Sequence, residues 1–404
     1  MTKRREFIKK SVLGLAATTA VGSFGIAVKR CKPAPRFETQ RQSKKNWQED
    51  PEWRKMKYGD WAGPGVSPTP GPMDEILLKD YAPRSSIITQ ETFVEKAKFP
   101  SIDCHVHIEA KTPQQIDEWV KIMDEVGIET SVILTAATGD EFKKLVGLFI
   151  KAHPGRFQLY CGMDLTDTDN RNFSKRVVDE LERCRESGAC GVGEITDKGF
   201  GFTKDKDLPK TRRLHPDDER LDTFWKKCGE LKMPINLHVA DHPSCWTPLD
   251  VFQERTLDYQ LFNLYNTDAL SYSELIERRN KTLEKHPETI FVACHLGNQG
   301  HDLATLSETM DRYPNLYLDT SARDYELGRT PRSSAKFLNK YKDRIVFGTD
   351  MGREKNMYRI HWRLLETGDE YIPGRVSWRY FGLELPEATL VALYRDTAKK
   401  IFNI

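Results

Sequence analysis

The sequence predicts an α/β protein, a (β/α)₈ TIM barrel preceded by an N-terminal export signal and an extended linker. Three observations predict it. From about residue 100, short apolar runs alternate with helix-period stretches until eight such runs have passed. Turn residues mark the changes of period, and histidines and carboxylates gather where the apolar runs end.

Residues 1–31 form the first unit. MTKRREFIKK carries the pair Arg4 and Arg5, and the stretch after it, SVLGLAATTAVGSFGIAV, is apolar but diluted with Gly, Ala and Thr. A basic start before a weakly hydrophobic segment is export-signal composition, and paired arginines point to the twin-arginine route, hence to a periplasmic or extracytoplasmic protein. If the segment is not cleaved it serves instead as a membrane anchor; no later run is long and apolar enough to span a bilayer. Residues 32–95 read as a Pro/Gly-rich linker centred on WAGPGVSPTPGP, with Trp47, Trp53, Trp61 and Tyr81 implying that parts of it lie against the body.

Residues 96–404 carry the barrel. Strands are expected at 101–105, 130–134, 157–161, 191–195, 235–239, 290–294, 316–319 and 344–348. Helices are expected at 113–126, 141–152, 172–186, 217–231, 272–285, 303–313 and 333–341, with a closing helix in 386–404. Pro154-Gly155, Ser187-Gly188 and Pro314-Asn315 supply turns. A doubly wound open sheet is the alternative, but it normally carries a Gly-rich phosphate turn after its first strand, where this chain has histidines. Segments 196–216 and 241–271 exceed simple connections; both leave strand C-termini, where barrel enzymes build lids and specificity loops.

Charge and cysteine usage exclude some classes. The 62 Lys and Arg nearly balance 60 Asp and Glu, and the signs are interspersed, so nothing points to nucleic acid as a partner. The eight cysteines show no CxxC pair or regular spacing, and several sit in strand-like runs, so they read as small buried hydrophobes rather than a disulfide framework.

Chemistry concentrates at the strand ends. His105 and His107 are one pleat repeat apart on the first strand, so their imidazoles share a face and can converge on one ion. His238 ends strand five, His295 ends strand six and Asp350 ends strand eight. A lone histidine is usually a satisfied core residue, but equivalent positions on several strands point to a divalent metal. Nitrogen and carboxylate donors suit zinc first, with manganese, iron or nickel as alternatives.

These motifs, DCHVH at 103–107, NLHVAD at 236–241, CHLGN at 294–298 and FGTDMG at 347–352, resemble the amidohydrolase superfamily. The resemblance is to its amidohydrolase-related branch, which includes decarboxylases of aromatic and muconate-like acids, and covers roughly residues 95–404. It implies that His105, His107 and Asp350 hold the tighter metal. It further implies either one metal completed by His238, with His295 as acid or base, or two metals with His238 and His295 on the second. Glu194 ends strand four, where two-metal relatives carry a bridging carbamylated lysine; a glutamate there is expected either to bridge or to orient a ligand histidine. The metal count stays open between one and two ions.

The expected activity is metal-dependent hydrolysis of a small polar ester, lactone or amide, with Asp350 and His295 as the catalytic groups. A non-oxidative decarboxylase with the same ligands is the alternative, and a non-catalytic binding barrel a third. Arg323, after strand seven, is a candidate grip for a substrate carboxylate, and Asp241 and Trp246 are candidate pocket residues. Partners are expected to be small-molecule substrates and, in a homo-oligomer, further copies of the chain.

Overall fold

The computed structural model describes residues 75–77, 80, 84–250, 253–255, 262–376 and 378–402. The signal and most of the linker lie outside the described residues. The chain divides into two units, Met1–Ser85 and Ser86–Ile404. Within the second unit the stretch before β1 is tied down by hydrogen bonds. Thr92 donates through its amide and hydroxyl to the Asp369 carboxylate, and the amides of Ala97 and Lys98 donate to the Val126 carbonyl and the Glu366 carboxylate.

Eight parallel strands pair in sequence order: β1 Ser101–Val106, β2 Ile128–Leu134, β3 Phe157–Cys161, β4 Gly191–Asp197, β5 Ile235–Val239, β6 Phe291–Ala293, β7 Leu316–Asp319 and β8 Ile345–Val346. The edges meet through the residues just past β8. Cys104 N–H donates to the Phe347 carbonyl at 2.9 Å, and Asp350 N–H to the His105 carbonyl at 2.8 Å. The expected barrel is therefore the observed one. β1, β2 and β5 are buried almost throughout, their polar residues included, because both faces of the sheet are covered.

The helices are α1 Pro113–Val126, α2 Gly139–Leu145, α3 Phe173–Glu186, α4 Asp222–Glu230, α5 Tyr272–Lys285, α6 Leu303–Arg312, α7 Pro331–Tyr341, α8 Lys355–Glu366 and a closing α9 Glu387–Val391. α2 and α9 each run on into a π-helical turn, and α9 is followed by a final helical stretch, Thr397–Phe402. Local signals explain their ends. Thr112 caps α1 in a reciprocal pair with Gln115, Pro113 opens its first turn, and Gly127 at φ +91° stops it. Ser271 and Glu274 form the same box on α5.

Two cores result. One packs strands against the helical ring, with Trp119, Trp225 and Trp362 fully buried. The other draws Ile102, Val132, Tyr160, Val292, Tyr317 and Val346 from strands around the barrel, so it fills the interior, where Ile401 and Phe402 from the chain's end join it. All seven described cysteines are free thiols.

One helix was missed and one histidine misplaced. α8 buries Met357, Tyr358, His361, Trp362, Leu364 and Leu365, yet its start has no side-chain cap. His361, which reads in the sequence as a helix-end or loop residue, lies inside α8 with Nδ1 bonded to the Met357 carbonyl. β6 and β8 are shorter than expected. After β6 the chain breaks at once into a tight turn in which His295 and Leu296 take positive φ.

Candidate metal centre

The strand C-termini carry the predicted residues to one mouth. His105 is in β1 and His107 one residue past it; Glu194 is in β4, His238 in β5, His295 just beyond β6 and Asp350 just beyond β8. The backbone turns left-handed where several strands end: Ala240 at φ +65°, His295 at +60°, Ala322 at +48° and Asp350 at +65°. L-residues rarely adopt this conformation, so surrounding packing must hold it, and such strain collects at functional sites.

Hydrogen bonding fixes which nitrogens are bare. His105 Nδ1 lies 2.8 Å from Asp319 Oδ2. A carboxylate can only accept, so Nδ1 carries a proton, and Nε2 is the nitrogen left bare of a partner, able to exchange its own proton for a metal ion. That Nε2 is buried without a hydrogen-bond partner, 3.7 Å from Asp350 Oδ1. His295 Nδ1 lies 3.0 Å from the Ser321 carbonyl, an acceptor only, so its Nε2 is bare as well, 3.5 Å from Glu194 Oε1. His238 sets Nε2 3.3 Å from Asp241 Oδ1 and Nδ1 2.5 Å from Glu194 Oε1. His107 Nε2 stands 3.2 Å from Asp350 Oδ1 and 3.7 Å from Glu194 Oε2.

The electrostatics follow. Burial pushes the Glu194 carboxyl up, but His238, His295 and His105 outweigh it and hold it well below the usual carboxylate range. Asp350 behaves the same way: burial opposes, and His107, His105 and His295 bring it to about 2. Burial would depress His105, but Asp319 lifts it to about 10. His295 stays below the ordinary imidazole value, lowered by burial and by His238 and Arg323 against the pull of Glu194. The cluster is thus three anionic carboxylates, Asp319, Asp350 and Glu194, threaded between four imidazoles.

A divalent cation fits this arrangement. Among the described residues four triplets each offer ligand atoms within 4.8 Å of one another: His105–His107–Glu194, His105–His295–Asp350, Glu194–His238–His295 and the fully buried His105–Cys294–Asp319. The donors are borderline nitrogens and hard oxygens, and the bare buried Nε2 of His105 has no protein atom to satisfy it. Glu194 belongs to two triplets, its two oxygens facing opposite histidine pairs.

Residues proposed from sequence for substrate binding lie differently. Arg323 is buried, and its guanidinium is held by Asn298 Oδ1, the Tyr325 hydroxyl and the Ala322 carbonyl, which makes it a brace between the β6 and β7 loops. Trp246 donates to the Leu270 carbonyl and meets Tyr272 edge-on, inside the β5 loop. Asp241 does reach the cluster, bonded on one side to His238 and on the other, at 2.8 Å, to Lys198. The sequence reading missed Ser321, whose hydroxyl lies near both His105 Nδ1 and His295 Nδ1, and Lys198; neither position has a motif to mark it.

This chain belongs to the amidohydrolase family, a metal-dependent enzyme family whose profile matches residues 102–404. A solved putative amidohydrolase from Staphylococcus aureus is similar in fold at 14% identity and a TM-score of 0.50, covering 75% of this chain and 99% of that one. A 2,6-dihydroxybenzoate decarboxylase from Rhizobium is 17% identical at TM-score 0.47, over 76% and 99% of the two chains. A 5-carboxyvanillate decarboxylase from Novosphingobium aromaticivorans, solved with manganese, is 13% identical at 0.47, over 78% and 100%. No curated protein sequence matches the chain. Among the described residues no helix is long and apolar enough to cross a membrane.

Proposed function

We propose that the protein is a metal-dependent hydrolase that uses water to cleave the C–O or C–N bond of a small polar ester, lactone or amide. The observation that carries this reading is the placement of Glu194. Its Oε1 faces His238 and His295, and its Oε2 faces His107 beside Asp350. A carboxylate between two histidine pairs suits a bridge between two ions, and activation of water for hydrolysis is a common use of such a centre.

Held by His105, His107, Asp350 and Glu194 on one side and by Glu194, His238 and His295 on the other, zinc, or manganese in its place, would supply Lewis-acid polarisation of a carbonyl and acidify water near neutral pH. The protein's own groups do the rest. Asp350 is anionic at neutral pH and partly open to the mouth, so its carboxylate can take a proton from an attacking water and return it to the leaving group. Asp319 fixes His105 in the Nδ1–H tautomer, and the Ser321 carbonyl does the same for His295. Asp241 orients His238 from the far side.

Two measurements test the reading on the full chain. Turnover of a panel of aryl esters, lactones and aromatic carboxylic acids in ¹⁸O-water should place one labelled oxygen in the acid formed from an ester or lactone. Carbon dioxide release with no label incorporated would replace hydrolysis with decarboxylation. Elemental analysis should give two metal equivalents, falling to one or fewer in Glu194→Gln; an unchanged count would remove Glu194 as a bridge. The Arg4–Arg5 start supports export through the twin-arginine route, which cell fractionation checks.

A further inference from the structure

A cavity of about 250 Å³ opens between the two long loops after β4 and β5, immediately beside the candidate metal centre. Its walls include Lys198, Lys204, Lys206, Phe200, Phe262 and Asp241. Asp241 joins it to the centre, because the carboxylate that touches Lys198 at 2.8 Å also touches His238 at 3.3 Å.

The loop that supplies the lysines is anchored. Asp197, the last residue of β4, is fully buried and accepts from the amides of Gly199 and Gly201, while its other oxygen holds His215 Nδ1 at 2.6 Å. Both glycines have positive φ, and a Cβ at Gly201 would come within 2.9 Å of the Leu214 carbonyl, so the loop folds back on itself at this point. Arg213, buried and bonded to the Lys206 and Asp268 carbonyls and the Asp268 carboxylate, closes the return. Phe200 sits between Lys206 at 5.3 Å and Arg213 at 5.0 Å from its ring centre.

Charge and surface then indicate a ligand. Lys198 is neutralised by Asp241. Among the described residues, no carboxylate comes within ion-pair distance of Lys204 or Lys206, and Asp205 and Asp207 on the same loop do not line the cavity. Phe262 is 60% exposed at the rim, an apolar ring left to water beside two ammonium groups. Arg323, the cation that the sequence singled out, is committed to Asn298 and Tyr325, so the cations facing this space are the lysines. We infer that the cavity seats an organic anion, an oxyanion group against Lys204 and Lys206 with an aromatic or apolar body against Phe200 and Phe262. The substrate of the adjoining centre then carries a negative charge remote from the bond that is cleaved. This substrate class rests on the hydrolase reading; the binding site does not.

Calorimetry with benzoate and its neutral amide, benzamide, tests it on the full chain, both zinc-loaded and stripped with chelator. Benzoate should bind about tenfold more tightly than benzamide, as expected for charge-assisted contacts. The preference should survive removal of the metal, fall to near parity in Lys204→Met/Lys206→Met, and return in Lys204→Arg/Lys206→Arg. Equal binding of the two probes by the wild-type chain overturns the inference. So does a preference that disappears with the metal and ignores the lysine substitutions, since the carboxylate is then held by the metal centre alone. The readout is binding, so a protein that hydrolyses nothing can still satisfy it, and parity here leaves the hydrolase reading untouched.

Discussion

The backbone amide of Asp350 donates to the carbonyl of His105 at 2.8 Å, while the side chains of the same two residues face each other, Oδ1 to Nε2, at 3.7 Å. The hydrogen bond that helps join the last strand to the first therefore also sets the spacing of two candidate ligands. Barrel closure brings the two candidate ligands together; three predictions concern the residues that hold this arrangement, and a fourth concerns a carboxylate elsewhere in the fold.

Under the proposed hydrolase reading, Asp350 is the carboxylate that transfers the proton. Asp350→Asn keeps the shape but cannot accept a proton, so kcat should fall by about 10²–10⁴ with a much smaller change in KM. Steady-state kinetics on any ester the enzyme turns over checks this; a kcat within about threefold of wild type would remove Asp350 from the chemistry.

Asp319 acts through His105. It accepts from His105 Nδ1, from the His295 and Ser321 amides and from the Ser321 hydroxyl. Asp319→Asn frees the imidazole to adopt the wrong tautomer, and metal affinity should drop by about 10–100-fold. Competition against a coloured chelator measures it, and an affinity equal to wild type would show that the Asp319–His105 contact does not tune the site.

Gly348 makes room for His105, a candidate ligand. A Cβ there would come within 2.8 Å of His105 Cβ and 3.4 Å of Ser321 Cβ. Gly348→Ala should displace the histidine, costing about 1–3 kcal/mol of stability and lowering metal occupancy. Thermal unfolding and elemental analysis read the two effects; full occupancy at unchanged stability would mean that the strand end yields easily.

Asp369 gives stability a pH dependence away from the centre. Burial opposes its ionisation, but the Thr92 amide and hydroxyl and the Arg363 guanidinium hold the carboxyl below its ordinary value. A folded value below the unfolded one means that the stabilisation is complete above about pH 4 and is lost as pH falls through the depressed folded value. Asp369→Asn should cost about 2 kcal/mol at neutral pH and converge with wild type in strong acid. A constant difference at every pH would indicate lost packing instead.

Much of the fold was legible because burial on both faces makes the strands predominantly apolar runs between helix-period stretches. The runs that carry Val132, Tyr160 and Val346, which meet in the interior core, are local signals of this kind. α8 escaped notice because the residues before it, Arg353 and Glu354, carry no capping side chain. The candidate ligands were legible as residue types at strand ends, since periodicity alone tells which side chains share a face.

What the amino-acid order determined, then, was eight parallel units and a set of imidazoles and carboxylates at their ends. What only the folded chain decided was their partnership: that Glu194 stands between His107 and the pair His238 and His295, that Asp319 rather than solvent holds His105, and that Arg323 turns inward while Lys204 and Lys206 face a cavity. The physical reason is separation along the chain. His105 and Asp319 are 214 residues apart, and no local propensity encodes a contact that exists only once the strand circle brings both ends together.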